Sequence, residues 1–108
     1  MEPPTGPQRT ILRQIAEHAG DLASVLEAQF ASCTTEPSEH CQECFEIDVA
    51  VDVPRLPANT ECPLFFDVQE GTGALGVLLW HEDGRINGLE VNSVIHPHAA
   101  LSDLIIIN

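Results

Sequence analysis

The chain has no lysine and no tyrosine, and only four arginines, one tryptophan and one methionine among its 108 residues. Without lysine there is no side-chain amine to form a Schiff base or to hold a phosphate. Against the four cations stand 17 acidic residues and a formal net charge of -13. A field of that sign repels nucleic-acid backbones and anionic membrane surfaces alike. Both are therefore excluded as partners at this stage, whereas a basic protein would be steered toward the chain. Long apolar runs are missing too. The longest, Leu75 to Trp80 and Leu104 to Ile107, fall far short of the roughly 20 residues that span a bilayer.

Catalytic signatures are equally scarce. There is no Gly-x-Ser-x-Gly elbow, and Gly71-Thr72-Gly73 with Gly76 leads into another strand rather than the helix a phosphate loop requires. The first nine residues have no apolar core of a secretory leader. A cytoplasmic location is expected, with four cysteines more apt to be free thiols or metal ligands than a disulfide framework.

What is present is patterned for an α+β domain. Residues 1–8 hold three prolines and a glycine and are expected to be a flexible arm before one domain, 9–108. Ile11, Leu12, Ile15, Ala19, Leu22, Val25, Leu26 and Phe30 recur at helical spacing. Gly20-Asp21 interrupts them, and Asp21 is a good cap. Two helices near 10–18 and 21–30, or one long helix, both fit.

The stretch 45–53 alternates without a break: Phe45, Ile47, Val49, Val51 and Val53 on one face, Glu46, Asp48, Ala50 and Asp52 on the other. Successive side chains of a strand point to opposite faces, so this is a strand greasy on one side and anionic on the other, as in a sheet covered on one face only. Further strands are expected through 63–69, 75–82 and 85–95. Asp83-Gly84 between the last two is a strong hairpin signal, and Asn87-Gly88 suggests a bulge. Ala31 to Thr35 can add a short strand, and Leu104 to Ile107 must dock somewhere or pair with another chain. The expected fold is one or two N-terminal helices packed on one face of a four- to five-stranded antiparallel sheet, run as a meander.

Three groups of residues carry chemistry. Cys41 and Cys44 form a Cys-x2-Cys, a spacing that places two sulfurs at one edge of a zinc tetrahedron. Two of Cys33, His40 and Cys62 would have to complete it, since no second pair exists. The alternative is four small residues flanking strands. His96-Pro97-His98 presents two imidazoles but no thiol or carboxylate cluster nearby; His18 and His81 read as surface residues. The carboxylates Glu46, Asp48, Asp52, Asp67 and Glu90, with Phe65 as a neighbour and Trp80 as an aromatic anchor, would share the open sheet face. They form either a solvated face or a docking surface for a basic partner.

Residues 76–91 (GVLLWHEDGRINGLEV) resemble a hairpin pattern found in small uncharacterised bacterial proteins, many of them actinobacterial. There a helix leads to a cysteine-containing strand start, an Asp-Gly-Arg hairpin and a Leu-Glu-Val strand. The likeness runs from Leu26 to Pro97, with Cys41 and Cys44 as the cysteine segment. It departs from the family's closer, Cys-Gly-Cys-like run at Gln42 and Glu43. The resemblance implies the α+β fold and a bacterial cytoplasmic setting, and no activity.

The expected role is a non-enzymatic interaction module, of the immunity, antitoxin-like or adaptor kind, with no cofactor. A small zinc protein using Cys41 and Cys44, and a hydrolase-type enzyme, are the alternatives. A homodimer through a sheet edge or the 105–107 tail is a further possibility.

Overall fold

A computed structural model describes residues 1–39, 41–93 and 100–107. Helix α1, Gly6–Glu17, begins at a capping box in which the Thr5 hydroxyl accepts from the Gln8 amide and the Gln8 side chain accepts from the Thr5 N–H. The helix thus starts inside the segment expected to be a loose arm. The rest of that segment is tied down as well: Glu2 exchanges both backbone hydrogen bonds with Thr35, at 3.0 and 2.7 Å.

Gly20, at φ +58, supplies the left-handed step that separates the helices. A 3-10 turn, Gly20–Leu22, leads into α2, Ala23–Phe30. There are two helices, and Asp21 does not cap the second. Leu22 occupies that position, without a side-chain hydrogen bond.

Five strands follow: β1 (Thr34–Pro37), β2 (Phe45–Asp48), β3 (Leu64–Phe66), β4 (Ala74–Glu82) and β5 (Arg85–Ser93). All neighbours are antiparallel, in the order β1-β2-β5-β4-β3. The sheet is therefore a β1–β2 hairpin joined edgewise to a β3–β4–β5 meander, rather than one continuous meander. The link from β2 crosses to the far edge before β3 begins.

Strand β2 stops four residues in, less than half as long as its alternation implied. Its β5 pairing covers only Phe45 with Leu89 and Glu46 with Gly88, ending where the Asn87 bulge displaces β5. Beyond Val49 the chain is captured differently. The Val53 N–H turns back on the Ala50 carbonyl at 3.4 Å, and Gln29 of α2 holds the Pro54 carbonyl at 2.8 Å. Val51 consequently lies 77% exposed and Val53 half-buried, off the core face to which alternation had assigned them.

The β4–β5 turn matches expectation, with positive φ at both Asp83 and Gly84. Ile11, Leu12, Ile15 and Leu26 from the helices form one core with Phe45, Ile47, Val77, Leu79, Leu89 and Val91 from the sheet. The 104–107 segment docks through Ile106, which bridges Val68, while the Gln14 side chain donates to the Leu104 carbonyl and accepts from the Ile106 N–H. Ile105 and Ile107 face outward, half exposed. Among the described residues no helix is long and apolar enough to cross a membrane.

Candidate functional site: the open face of the sheet

Residues paired across antiparallel strands share a face, so the register defines what the uncovered side presents. Glu36, Glu46, Gly88 and Trp80 form one row across β1, β2, β5 and β4. Glu90, Leu78 and Phe65 form the next, and Thr34 with Asp48 lies beyond the first. Phe65 lies over Gly76, where a Cβ would collide with the ring. Glycine is needed there for the ring to approach the sheet so closely. The face thus carries an apolar strip of Phe65, Leu78 and Trp80 beside a band of carboxylates.

In the centre, Gly88 projects no side chain between Glu46 and Trp80. The result is a recess of about 400 Å³ lined by Ser38, Glu46, Trp80, Asn87, Gly88 and Glu90 among others. Of the residues singled out in the sequence, Glu46, Trp80 and Glu90 come together here. Asp48 is on the same face but borders a neighbouring hollow with Glu82, Asp83 and Arg85. Asp52 is not on the sheet at all, because β2 ends before it. Asp67 follows the end of β3 at the far edge, where its carbonyl accepts from the Ile107 N–H.

Two contributors escaped the sequence reading. Glu36 directly faces Glu46, a pairing visible only once β1 is in register. Gly88 signalled a bulge, yet its larger consequence is the empty space above it.

The cations are elsewhere. Arg9 and Arg13 are on α1, Arg55 pairs with Asp83 at 3.0 Å, and Arg85 sits at the hairpin end opposite Glu82. Like charges placed directly opposite on a sheet are destabilising, and no arginine joins the row of Glu36 and Glu46 to relieve them.

The cysteines do not assemble a metal centre. Cys41 and Cys44 are joined in a disulfide with Cα atoms 5.1 Å apart; the spacing that suits one edge of a zinc site also suits a direct bond. Cys44, just before β2, accepts the Val91 N–H through its sulfur at 3.4 Å. Cys33 is buried in the main core and Cys62 is exposed, its thiol donating to the His81 carbonyl. Among the described residues no three His, Cys, Asp or Glu side chains are placed to hold a metal ion. His40, His96 and His98 lie outside the described residues. Cys41 and Cys44 are thus neither the free thiols nor the metal ligands expected of them.

No protein-family model, curated protein or solved structure matches the chain.

One buried group does have a measurable consequence. Burial pushes the Cys33 thiol above its ordinary value, against smaller opposing effects of a hydrogen bond at its own backbone and of the Arg9 guanidinium. A thiol raised in the folded state lends stability that is complete below its unfolded pKa of about 8.5 and is lost as pH climbs through the folded value. Denaturant midpoints at about pH 7 and about pH 10 should therefore fall further for the wild type than for Cys33→Ala. Equal falls in the two proteins would refute the assignment.

Proposed function

We propose that the chain is a non-catalytic binding module whose open sheet face docks a basic protein. The observation that carries this is the row Glu36–Glu46–Gly88–Trp80: two facing carboxylates, a gap and an aromatic wall, with Glu90 lining the same recess. An arginine or lysine side chain entering above Gly88 would stack on Trp80 and meet Glu46 and Glu90 as charge-assisted hydrogen-bond acceptors. Its charge would also relieve the unfavourable Glu36–Glu46 pairing. Phe65 and Leu78 offer apolar area beside the recess, which suits a partner with a hydrophobic residue next to its cation.

Trp80 is the sole tryptophan and 39% exposed, so its fluorescence reports on the recess alone. Peptides selected by display against the folded protein should be rich in arginine or lysine. Their binding should shift Trp80 emission saturably and weaken with salt. Glu90→Lys should weaken binding about tenfold, roughly 1.4 kcal/mol. Gly88→Val should do likewise by filling the recess, since a Cβ there finds nothing nearer than the Phe45 carbonyl at 3.7 Å and the fold is retained. Selected peptides without enriched cations, or affinities indifferent to both variants, would overturn the reading. A dimer in native mass spectrometry that Gly88→Val dissociates would replace the basic partner with a second copy of the chain.

A further inference from the structure

The sheet leaves a partner no edge to pair with. On the β1 side, Thr35 gives its N–H and accepts through its carbonyl, both with Glu2. Pro37, the next residue of β1 whose backbone points outward, has no N–H to offer. On the other side, β3 is three residues long and follows Pro63. The residues after it are taken by the C-terminal segment: the Gln69 N–H donates to the Ile105 carbonyl at 2.8 Å and the Ile107 N–H to the Asp67 carbonyl at 3.0 Å. Among the described residues neither edge presents a run of free backbone groups, so strand addition is closed to a partner. The face itself remains.

That face is divided. Glu36, Glu46 and Asp48 occupy β1 and β2, while Trp80, Leu78 and Phe65 occupy β4 and β3. Strand β5 runs between the two halves and is low at Gly88, where no side chain rises. Neighbouring strands lie about 4.8 Å apart, so β2 and β4 stand about 10 Å apart on either side of β5. An α-helix with its side chains is about 10–12 Å across. One helix laid along β5 would set one flank against the carboxylates and the other against the apolar strip. The length also suits: β4 and β5 have nine residues each, about 30 Å of strand, or about five turns of helix.

Building on the basic-partner reading of this face, we infer that its occupant is a cationic amphipathic α-helix lying along β5. Its arginines or lysines face Glu46, and its apolar residues face Trp80 and Leu78, each class recurring at three- and four-residue steps. The closed edges favour a helix over an extended segment. An extended peptide would find no strand to bond with and would carry its own backbone groups unpaired onto the apolar strip, whereas a helix satisfies them internally. The helix also gives the open face the layer that α1 and α2 give the other one.

The probe is a peptide of leucine, alanine and arginine of about 18 residues, about 27 Å as a helix. Its leucines form one helical stripe and its arginines the adjoining one; a scrambled isomer of the same composition is the control. Added to ¹⁵N-labelled protein, the patterned peptide should produce saturable amide shifts centred on Gly88, move Trp80 emission and gain helical circular dichroism. The scrambled isomer should bind at least about tenfold more weakly. Glu46→Lys should weaken the patterned peptide about tenfold. Glu27→Lys, the same change of charge at an exposed position of α2, should weaken it less than about twofold. Equal binding of the two peptides, both lost in Glu90→Lys, would overturn the helix and leave the basic-partner reading standing. A bound peptide without helical signal would do the same. Equal sensitivity to Glu46→Lys and Glu27→Lys would reduce the attraction to net charge and overturn the site, and binding by neither peptide would overturn the helix.

Discussion

Gln29→Leu should lower the unfolding free energy by about 3–5 kcal/mol, the largest loss expected from any single substitution outside the hydrophobic core. Gln29 is fully buried on α2 and its amide is completely used. Its nitrogen donates to the Pro54 carbonyl at 2.8 Å and the Gly84 carbonyl at 2.9 Å, and its oxygen accepts the Ile86 N–H at 2.9 Å. Leucine matches its bulk and can match none of this. The Ile86 N–H would be left buried without its partner, at about 1–3 kcal/mol, and the bonds to the Pro54 and Gly84 carbonyls would be lost at about 1 kcal/mol each. For a domain of this size, whose whole stability is on the order of 5–15 kcal/mol, the melting temperature should fall by about 15 °C or more. Gln29→Glu separates hydrogen bonding from volume. A carboxylate still accepts from Ile86 but faces two carbonyl oxygens with no proton to give, so at neutral pH it should be no better than leucine. If Gln29→Glu or Gln29→Met stayed within about 1 kcal/mol of wild type by chemical denaturation, the amide would have no structural role.

That residue shows what the amino-acid pattern could and could not disclose. Gln29 stands three residues after Leu26 and four after Val25, on the buried stripe of the helix. A polar side chain there is a signal that something is being held, but not what. Its partners, Pro54, Gly84 and Ile86, are 25 to 57 residues away, and no local rule reaches them. The Asp83-Gly84 turn and the Asn87 bulge were legible because their chemistry is local: a turn needs two positive φ values, a bulge an extra residue. The alternation of β2 was legible as a face but not as a length. Alternation continues through Val53 although the pairing that makes a strand stops at Asp48. Asp52 was therefore assigned to a face it does not share. Strand order was out of reach for a related reason, since nothing near residue 48 says that the next strand pairs at the far edge. The candidate recess was half legible: Glu46 followed from alternation and Trp80 and Glu90 were expected as its neighbours, while the gap above Gly88 is made by an absent side chain. At Cys41 and Cys44, spacing alone suited a metal, a dithiol and a disulfide equally.

Gly84→Val should be nearly as damaging as Gln29→Leu, at about 3 kcal/mol, and the two effects converge on one point of the chain. Gly84 adopts φ +77, where an L-residue costs roughly 1–2 kcal/mol by itself. A Cβ there would also lie 2.9 Å from the Arg55 Cβ and the Leu56 carbonyl and 3.1 Å from the Leu56 nitrogen, so the obstacle includes backbone and cannot swing away. That backbone is where it is because the Leu56 N–H donates to the Gly84 carbonyl at 2.9 Å, the oxygen that also accepts from Gln29. Pushing residues 55–56 outward breaks the first bond and loosens Leu56 from the core. Gly84→Ala places the same Cβ against Leu56 and should lose about 2–3 kcal/mol, from the backbone conformation and the close approach together. Asp83→Asn is the control: it keeps a residue that tolerates positive φ and removes only an exposed contact with Arg55, so it should stay within about 0.5 kcal/mol of wild type. The function proposed for the open face depends on this junction, because Trp80 of β4 and Gly88 and Glu90 of β5 belong to the two strands that the 83–84 turn connects. In Gly84→Val the Trp80 response to a selected peptide should decline along with the folded fraction, whereas Gly88→Val should lose the response with the fold intact. Identical stability losses for Gly84→Val and Asp83→Asn would show that the close approach at Leu56 contributes nothing.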